Sequence, residues 1–305
     1  MSADLSNSDK TEGFLKHSRP FVNKDFSGGF LNAGVSELTM AAIANGIAAH
    51  GGVFAVCGTF FVFSDYMKPA MRLAALMQLP VKYVFTHDSF RVGEDGPTHQ
   101  PVEHEMQIRL LEHLKNHHGK NSLLALRPAD SAETIAAWKL ALENNSSPTA
   151  LILSRQNIKD IAPIHERTRA EEALMLSKGA YIVKEPASKP DIILLANGSE
   201  VSTLIDCAVI LEKEKGLKVR VVSAPSEGLF RNQDNDYRQN VISGNIPVFG
   251  LTAGLPVTLQ GLAGCNGVVF GLDHFGYSAP YQVLDEQFGF TPETVARKIQ
   301  AIIER

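Results

Sequence analysis

Cysteine is scarce in this 305-residue chain: Cys57, Cys207 and Cys265 are widely spaced and odd in number. That excludes a disulfide framework and argues for a reducing compartment. The three also lack metal-ligand spacing, and each lies in an apolar run, so all read as core filler. Positive charge is not in excess either. Lys and Arg number 29 against 33 Asp and Glu, a net charge of −4, so no basic face is offered to nucleic acid or to an anionic membrane. An anionic ligand must therefore be met by a few local side chains. No apolar run is long enough to span a bilayer. The opening "MSADLSNSDK" lacks the basic and apolar regions of a secretory signal. The expectation is a cytoplasmic protein that binds neither nucleic acid nor membrane.

What is present is a repeated alternation of short β-rich runs with helical patterns, the mark of βα units on a mostly parallel sheet. "GVFAVCGTF" (52–60), "VKYVFT" (81–86), "SLLALRP" (122–128) and "TALILSR" (149–155) read as buried strands. "ELTMAAIANGIAAH" (37–50) and "AETIAAWKLALENN" (132–145) carry helical periodicity. So does "SDYMKPAMRLAALM" (64–77), where Pro69 must sit in the first turn or kink the helix. A polar stretch from 156 to 173 reads as a link between domains. Beyond it "GAYIVKE", "DIILLANGSE", "LKVRVVSAP", "NIPVFGLTAG", "GVVFGLDHFG" and a last amphipathic helix, "TPETVARKIQAIIE", repeat the α/β pattern. The fold class is α/β, in two domains, each an open, mostly parallel sheet flanked by helices. The division expected is 1–160, a linker at 161–173, and 174–305.

One loop is chemically dense. "GEDGPTHQP" (93–101) packs two acids, a histidine, two glycines and two prolines into nine residues with almost nothing to bury. Composition alone makes a solvated turn the simpler reading. Gly93, Gly96 and Pro97 nevertheless fix a backbone path along which Asp95 and His99 can converge. By position alone, Glu37 is an ordinary acid at a helix start. Phe60, Phe63 and Tyr66, at i, i+3 and i+6, make a row more often found in cores. His104, His113, His117 and His118 lie in or near a charged helical stretch and read as solvated.

The strings "SADLSNS", "GVSELTMAAIANGIAAHGG", "THDSFRVGEDGPTHQPVE", "RPADS", "PTALILSRQN", "ANGSEV", "RVVSAPS" and "FGYSAP" together resemble the transketolase family. They run in order over essentially the whole chain and correspond to that family's pyrimidine-binding and C-terminal domains. The diphosphate-binding domain, with its GDG metal motif, has no counterpart in this sequence. The pyrimidine-binding domain also looks clipped, because similar proteins lead into "GGSADL" with a helix and a strand. The resemblance therefore implies the C-terminal portion of a transketolase, acting with thiamine diphosphate and Mg2+ or Ca2+. A diphosphate-binding domain or subunit would hold the metal, in a homo-dimer or hetero-tetramer.

Carried over residue by residue, the resemblance makes Glu37 the acid on the aminopyrimidine ring, which assists removal of the thiazolium C2 proton. Ser36 departs from the family pattern just before it. Phe60, Phe63 and Tyr66 would hold the pyrimidine, with Phe61 facing the core, and Asp4 would lie near the thiazolium. His99 would contact the reacting end of the donor sugar, and Asp95 would read the acceptor's C2 hydroxyl. Ser8, His87 and Arg155 would grip the sugar phosphate. Glu94 receives no role, and His274 falls in a domain expected to be structural. A deoxyxylulose-phosphate-synthase-like enzyme is the alternative within the same chemistry, disfavoured by the sequence of the 93–101 loop. A non-catalytic truncated remnant is the alternative outside it.

Overall fold

The longest strands of the chain are buried at nearly every residue, as strands covered on both faces by helices must be. In the computed structural model, which describes residues 1–164 and 166–304, they form two sheets. The first comprises β1 (Val56–Phe60), β2 (Lys82–Thr86), β3 (Leu124–Leu126) and β4 (Thr149–Ile152) in the order β1-β2-β4-β3, all parallel. The second comprises β5 (Tyr181–Lys184), β6 (Ile192–Ala196), β7 (Val219–Ser223), β8 (Val248–Leu251) and β9 (Val268–Phe270) in the order β5-β7-β6-β8-β9. Only β5, at an edge, runs antiparallel to its neighbour. The helices are α1 (Glu37–His50), α2 (Ser64–Leu76), α3 (His104–His113), α4 (Ser131–Glu143), α5 (Arg169–Ala173) and α6 (Glu200–Lys215), then α7 (Glu227–Arg231), α8 (Asn235–Val241), α9 (Val257–Ala263), α10 (Tyr281–Phe288) and α11 (Pro292–Ile303). The α/β class and the two mostly parallel sheets are as the alternation predicts.

Local chemistry sets the boundaries. Asp130 caps α4 by accepting from the Glu133 amide at 2.8 Å, and Gly51, at φ 82°, ends α1. Pro69 is not in the first turn of α2. It is the sixth residue of a helix that runs unbroken from Ser64 to Leu76. The missing N–H leaves the Asp65 carbonyl without its helical donor. The Ala70 carbonyl one residue on accepts from Asn45 Nδ2 of α1 at 2.8 Å, and Asn45 Oδ1 accepts from Tyr83 Oη of β2 at 3.0 Å. One buried amide thus joins α1, α2 and the sheet.

Two expectations need correction. Cys57 and Cys207 are buried, but Cys265 is exposed, because the turn after α9 places it outside the second core. His104 is not solvated: it is 3% exposed at the start of α3, packed on Phe61, which is itself in the core as expected. His113, His117 and His118 are exposed. The polar stretch read as a linker ends in a short helix. α5 carries a capping box at Thr168, and Arg169 bonds Asp130, Glu133 and the Tyr181 hydroxyl; His165 lies outside the described residues. At the other end, the outer edge of β1 is partly paired, because Ser2 bridges in parallel to both Gly58 and Asn32.

The two sheets are joined by main-chain bonds. Arg127 N donates to Pro225 O at 2.9 Å, Gly198 N to Arg127 O at 3.1 Å, and Leu255 N to Val102 O at 3.1 Å. No helix among the described residues is long and apolar enough to cross a membrane.

Candidate functional site

Because the first sheet is wholly parallel, its strands end on one edge, where ligands of open α/β sheets bind. Phe60 ends β1, His87 follows β2, and Arg155 lies three residues past β4. Those three strands are neighbours in the sheet, so residues separated by 27 to 95 positions in the chain emerge on one edge.

The Phe60 ring stacks on His87 with centroids 3.7 Å apart and on Phe63 at 5.9 Å. His99 meets both phenyl rings edge-on, at 6.2 Å from Phe60 and 5.5 Å from Phe63. Tyr66 extends the row from Phe63 at 6.2 Å, yet it is 62% exposed, so the row ends at an open aromatic face. His87 has φ 63°, a left-handed conformation that costs energy in any residue but glycine and is seen where a site over-determines the backbone. Its Nδ1 lies 2.9 Å from the Thr86 hydroxyl. Burial, and then the charge of Arg155, push the His87 pKa down to about 4, against the opposing pull of Asp95 and Asp88 and with a further push from Lys10. At neutral pH the imidazole is uncharged and can donate one hydrogen bond. The cations around it are Arg155 and Lys10, both exposed. Neither has an ion-pair partner among the described residues.

The depressed His87 pKa has a thermodynamic consequence. The unfolded chain binds a proton at His87 that the folded chain refuses, so stability is complete above about pH 6.5 and falls as pH drops toward 4. His87→Gln should flatten that part of the acid limb in a series of denaturation curves. An acid limb identical to the parent's would show that His87 titrates normally.

The loop carrying Asp95 and His99 is shaped by Gly93 and Gly96, at φ 88° and 78°. It is held from behind by "FGYSAP" of the second domain. Gln100 Nε2 donates to Gly93 O at 3.1 Å and to Tyr277 O at 2.9 Å, and the Ser278 hydroxyl donates to Glu94 O. A Cβ on Gly96 would lie 3.2 Å from that of Ser278. This buttress was not read from the sequence, although the two strings were both noted; nothing in either shows that they touch. Asp95 is exposed at the turn and His99 half-buried.

The remaining expected residues stand apart. Glu37 is buried at the first position of α1, and no hydrogen bond or ion pair reaches its carboxylate among the described residues. Asp4 is exposed at φ 60°, and the Ser8 hydroxyl donates to Asn7 Oδ1 at 3.3 Å. None of the three is bonded to the histidine–phenylalanine cluster. Sequence reasoning passed over Asp9, which anchors this segment by accepting from Ser2 Oγ at 2.8 Å and from the Thr11 amide and hydroxyl at 2.9 and 2.7 Å. It also passed over Lys10. The signal for the anchor was the "DKT" spacing, which suits an acid bonding two residues on.

A second cluster lies nearby in sequence. Asp65, Glu103 and His104 offer ligand atoms within 4.8 Å of one another. Lys68 already pairs with Asp65, and the cluster sits at the positive end of α3, so both neighbours favour carboxylates over a further cation.

Fold and side-chain packing define a two-domain α/β protein that presents packed aromatic and histidine rings, with cations unpaired among the described residues, at the C-terminal edge of a parallel sheet. The family model "Transketolase, pyrimidine binding domain" matches residues 1–160, and "Transketolase-like TK C-terminal domain" matches 179–291. A transketolase of Halalkalibacterium halodurans is 43% identical over 304 residues, covering 99% of this chain and 43% of that protein. A solved Pichia stipitis transketolase in complex with sedoheptulose-7-phosphate aligns with TM-score 0.87 and 36% identity, over 99% of this chain and 42% of that one. A split-gene transketolase, solved as an inactive beta4 tetramer, shares the fold with TM-score 0.72 at 23% identity, over 99% of this chain and 90% of that one. The chain belongs to the transketolase family, and it spans less than half the length of the curated relatives it matches.

Proposed function

We propose that this chain supplies the pyrimidine-binding and C-terminal domains, 1–160 and 174–305, of a thiamine diphosphate-dependent transketolase. It transfers a two-carbon ketol unit from a ketose phosphate to an aldose phosphate in the pentose phosphate pathway of the cytoplasm. The reading rests on one observation above all. Phe60, Phe63, His87 and His99 pack ring against ring in one cluster at the end of the sheet, with Arg155 and Lys10 beside it and without ion-pair partners among the described residues. Such a cluster of rings and cations suits a flat heterocycle and a phosphorylated sugar. The sugar phosphate bound in the Pichia stipitis relative agrees with that substrate class.

The chain's own residues divide the work. Phe60, Phe63 and Tyr66 hold the pyrimidine ring by stacking and edge contacts and exclude water from it. Glu37 is a buried residue whose carboxylate makes no hydrogen bond or ion pair among the described residues, which fits it to accept a hydrogen bond from that ring and hold a proton there. Thiamine diphosphate, when bound, supplies the carbon nucleophile. His99 donates to the oxygens at the reacting end of the donor, and Asp95 accepts from the acceptor's C2 hydroxyl. His87 gives a neutral hydrogen bond and Arg155 a charge-assisted, bidentate one to the phosphate. Asp4, near the thiazolium, and Ser8, at the phosphate, complete the set by resemblance.

Thiamine diphosphate also needs its diphosphate held through Mg2+ or Ca2+, and we assign that to a diphosphate-binding partner domain or subunit, in a homo-dimer or hetero-tetramer. The test is calorimetry and turnover with and without such a partner. Thiamine diphosphate and magnesium should leave the melting of the isolated chain unmoved, and ketol transfer should appear when the partner is added. In that assembly Arg155→Ala should raise KM for phosphorylated substrates roughly 10- to 150-fold, the worth of a charged hydrogen bond, and leave free sugars nearly unchanged. Micromolar cofactor binding by the chain alone would overturn the division of labour. Equal losses on free and phosphorylated sugars would overturn the role of Arg155.

A further inference from the structure

A buried group of charges joins the ring cluster to the second domain. Asp88 follows His87, and its Oδ2 accepts from Arg127 Nε at 3.0 Å and Nη2 at 2.8 Å. The same oxygen accepts from the Ser154 hydroxyl at 3.3 Å, and Ser154 precedes Arg155. Arg127 is itself held by the second domain: Nη1 donates to Asn197 Oδ1 at 2.7 Å and to Glu200 Oε2 at 2.5 Å. Glu200, fully buried at the start of α6, accepts through its other oxygen from Arg91 Nη1 at 2.5 Å, and Arg91 Nε donates to Asp285 Oδ1 at 2.8 Å. Arg91 stands two residues before Gly93, where the 93–101 loop begins.

The placement in the second sheet matters. Residues 197–200 follow the C-terminal end of β6, beside β8, where an open α/β sheet ordinarily receives a ligand. Here the Arg127 side chain fills that position: a Cβ on Gly198, at φ 58°, would come within 2.7 Å of its Cζ. The second domain uses its crevice to grip the first.

We propose that Arg127 and Arg91, clamped by Glu200, are positioning residues that set His87, Arg155 and the start of the 93–101 loop in register with one another. Neither arginine touches the clustered rings. Each acts through a neighbour: Arg127 through Asp88 on both His87 and Ser154, Arg91 through the chain leading to Gly93. A planar guanidinium is required, since Arg127 serves Asp88, Asn197 and Glu200 at once from fixed directions, which an ammonium on a flexible stem cannot do. The proposal rests on the function above for what His87 and Arg155 do, and not for how they are held.

Its test reads His87 directly in the isolated chain, by NMR of histidine-labelled protein, with the resonance assigned through His87→Gln. In the parent protein the imidazole should titrate near pH 4. In Arg127→Met and Glu200→Gln its midpoint should rise by roughly one unit or more toward the ordinary histidine range, as the ring leaves its stack on Phe60. Glu200→Gln keeps the argument testable if Arg127→Met does not fold, because it removes a remote charge and retains an acceptor. In the assembled enzyme the same variants should raise KM for phosphorylated sugars roughly tenfold or more with kcat little changed. An unmoved His87 titration in folded Arg127→Met or Glu200→Gln protein overturns the proposal. Absence of ketol transfer by the assembled parent protein would instead count against the function, and the His87 titration would still decide the brace.

Discussion

Replacing Glu37 with alanine should slow turnover of the assembled enzyme by roughly 10²- to 10⁴-fold, the range for lost acid–base assistance. The structural reason is an asymmetry. Glu37 is 7% exposed, and no hydrogen bond or ion pair reaches its carboxylate among the described residues, which leaves it open to a partner from outside the chain. It stands at the positive end of α1. Glu37→Gln should therefore separate stability from activity. The isolated chain should melt close to the parent, since no hydrogen bond or ion pair among the described residues is lost, while turnover should fall almost as far as in Glu37→Ala, because an amide cannot hold the proton. Hydrogen–deuterium exchange at thiazolium C2 is the direct measurement. Parent-like exchange in Glu37→Ala would remove Glu37 from the chemistry, and a large loss of stability in Glu37→Gln would make it a structural residue.

What could be read from the chain was what depends on neighbours in sequence. α1 falls at Glu37–His50, where its periodicity puts it, and the strands fall inside the runs expected for them because they are mostly apolar and bounded by turn chemistry. The aromatic row was visible for the same reason. His104 was misplaced because burial of a polar residue depends on what packs across from it, here Phe61 and Asp65, and not on its own helix. The same limit hid the second domain's part in the site. "FGYSAP" lies about 180 residues from the loop it supports, and Glu200 more than 70 from the arginine it holds. Both are contacts between domains, for which a single chain carries no periodic or spacing signal. The role of Lys10 escaped for a related reason: a cation beside a left-handed turn looks like any solvated lysine until the folded chain brings it near His87.

Arg109→Met should produce the largest loss of stability, about 3–5 kcal/mol, the usual cost of leaving buried carboxylates without their cation. Arg109 is 1% exposed on α3. Its Nη1 donates to Glu112 Oε2 at 2.9 Å and to Ala125 O at 3.1 Å, and its Nη2 to Glu105 Oε1 at 3.1 Å and to Pro225 O at 3.2 Å. Four acceptors on α3, β3 and the second domain thus depend on one guanidinium. Burial works against its charge, but Glu112, Glu105 and Glu227 outweigh that and raise its pKa, so it is cationic at every accessible pH. Methionine fills much of the space and supplies none of the donors. At roughly 2–4 °C per kcal/mol for a chain of this size, the melting temperature should fall by on the order of 10 °C. The acids should be the cause, so the double variant Arg109→Met/Glu112→Gln should lose less than Arg109→Met alone, a coupling expected only of residues in one network. Denaturant curves measured side by side decide it. A loss below about 1 kcal/mol in the single variant, the scale of an exposed ion pair, would mean that water reaches these acids and that the junction between the domains is looser than the structure has it.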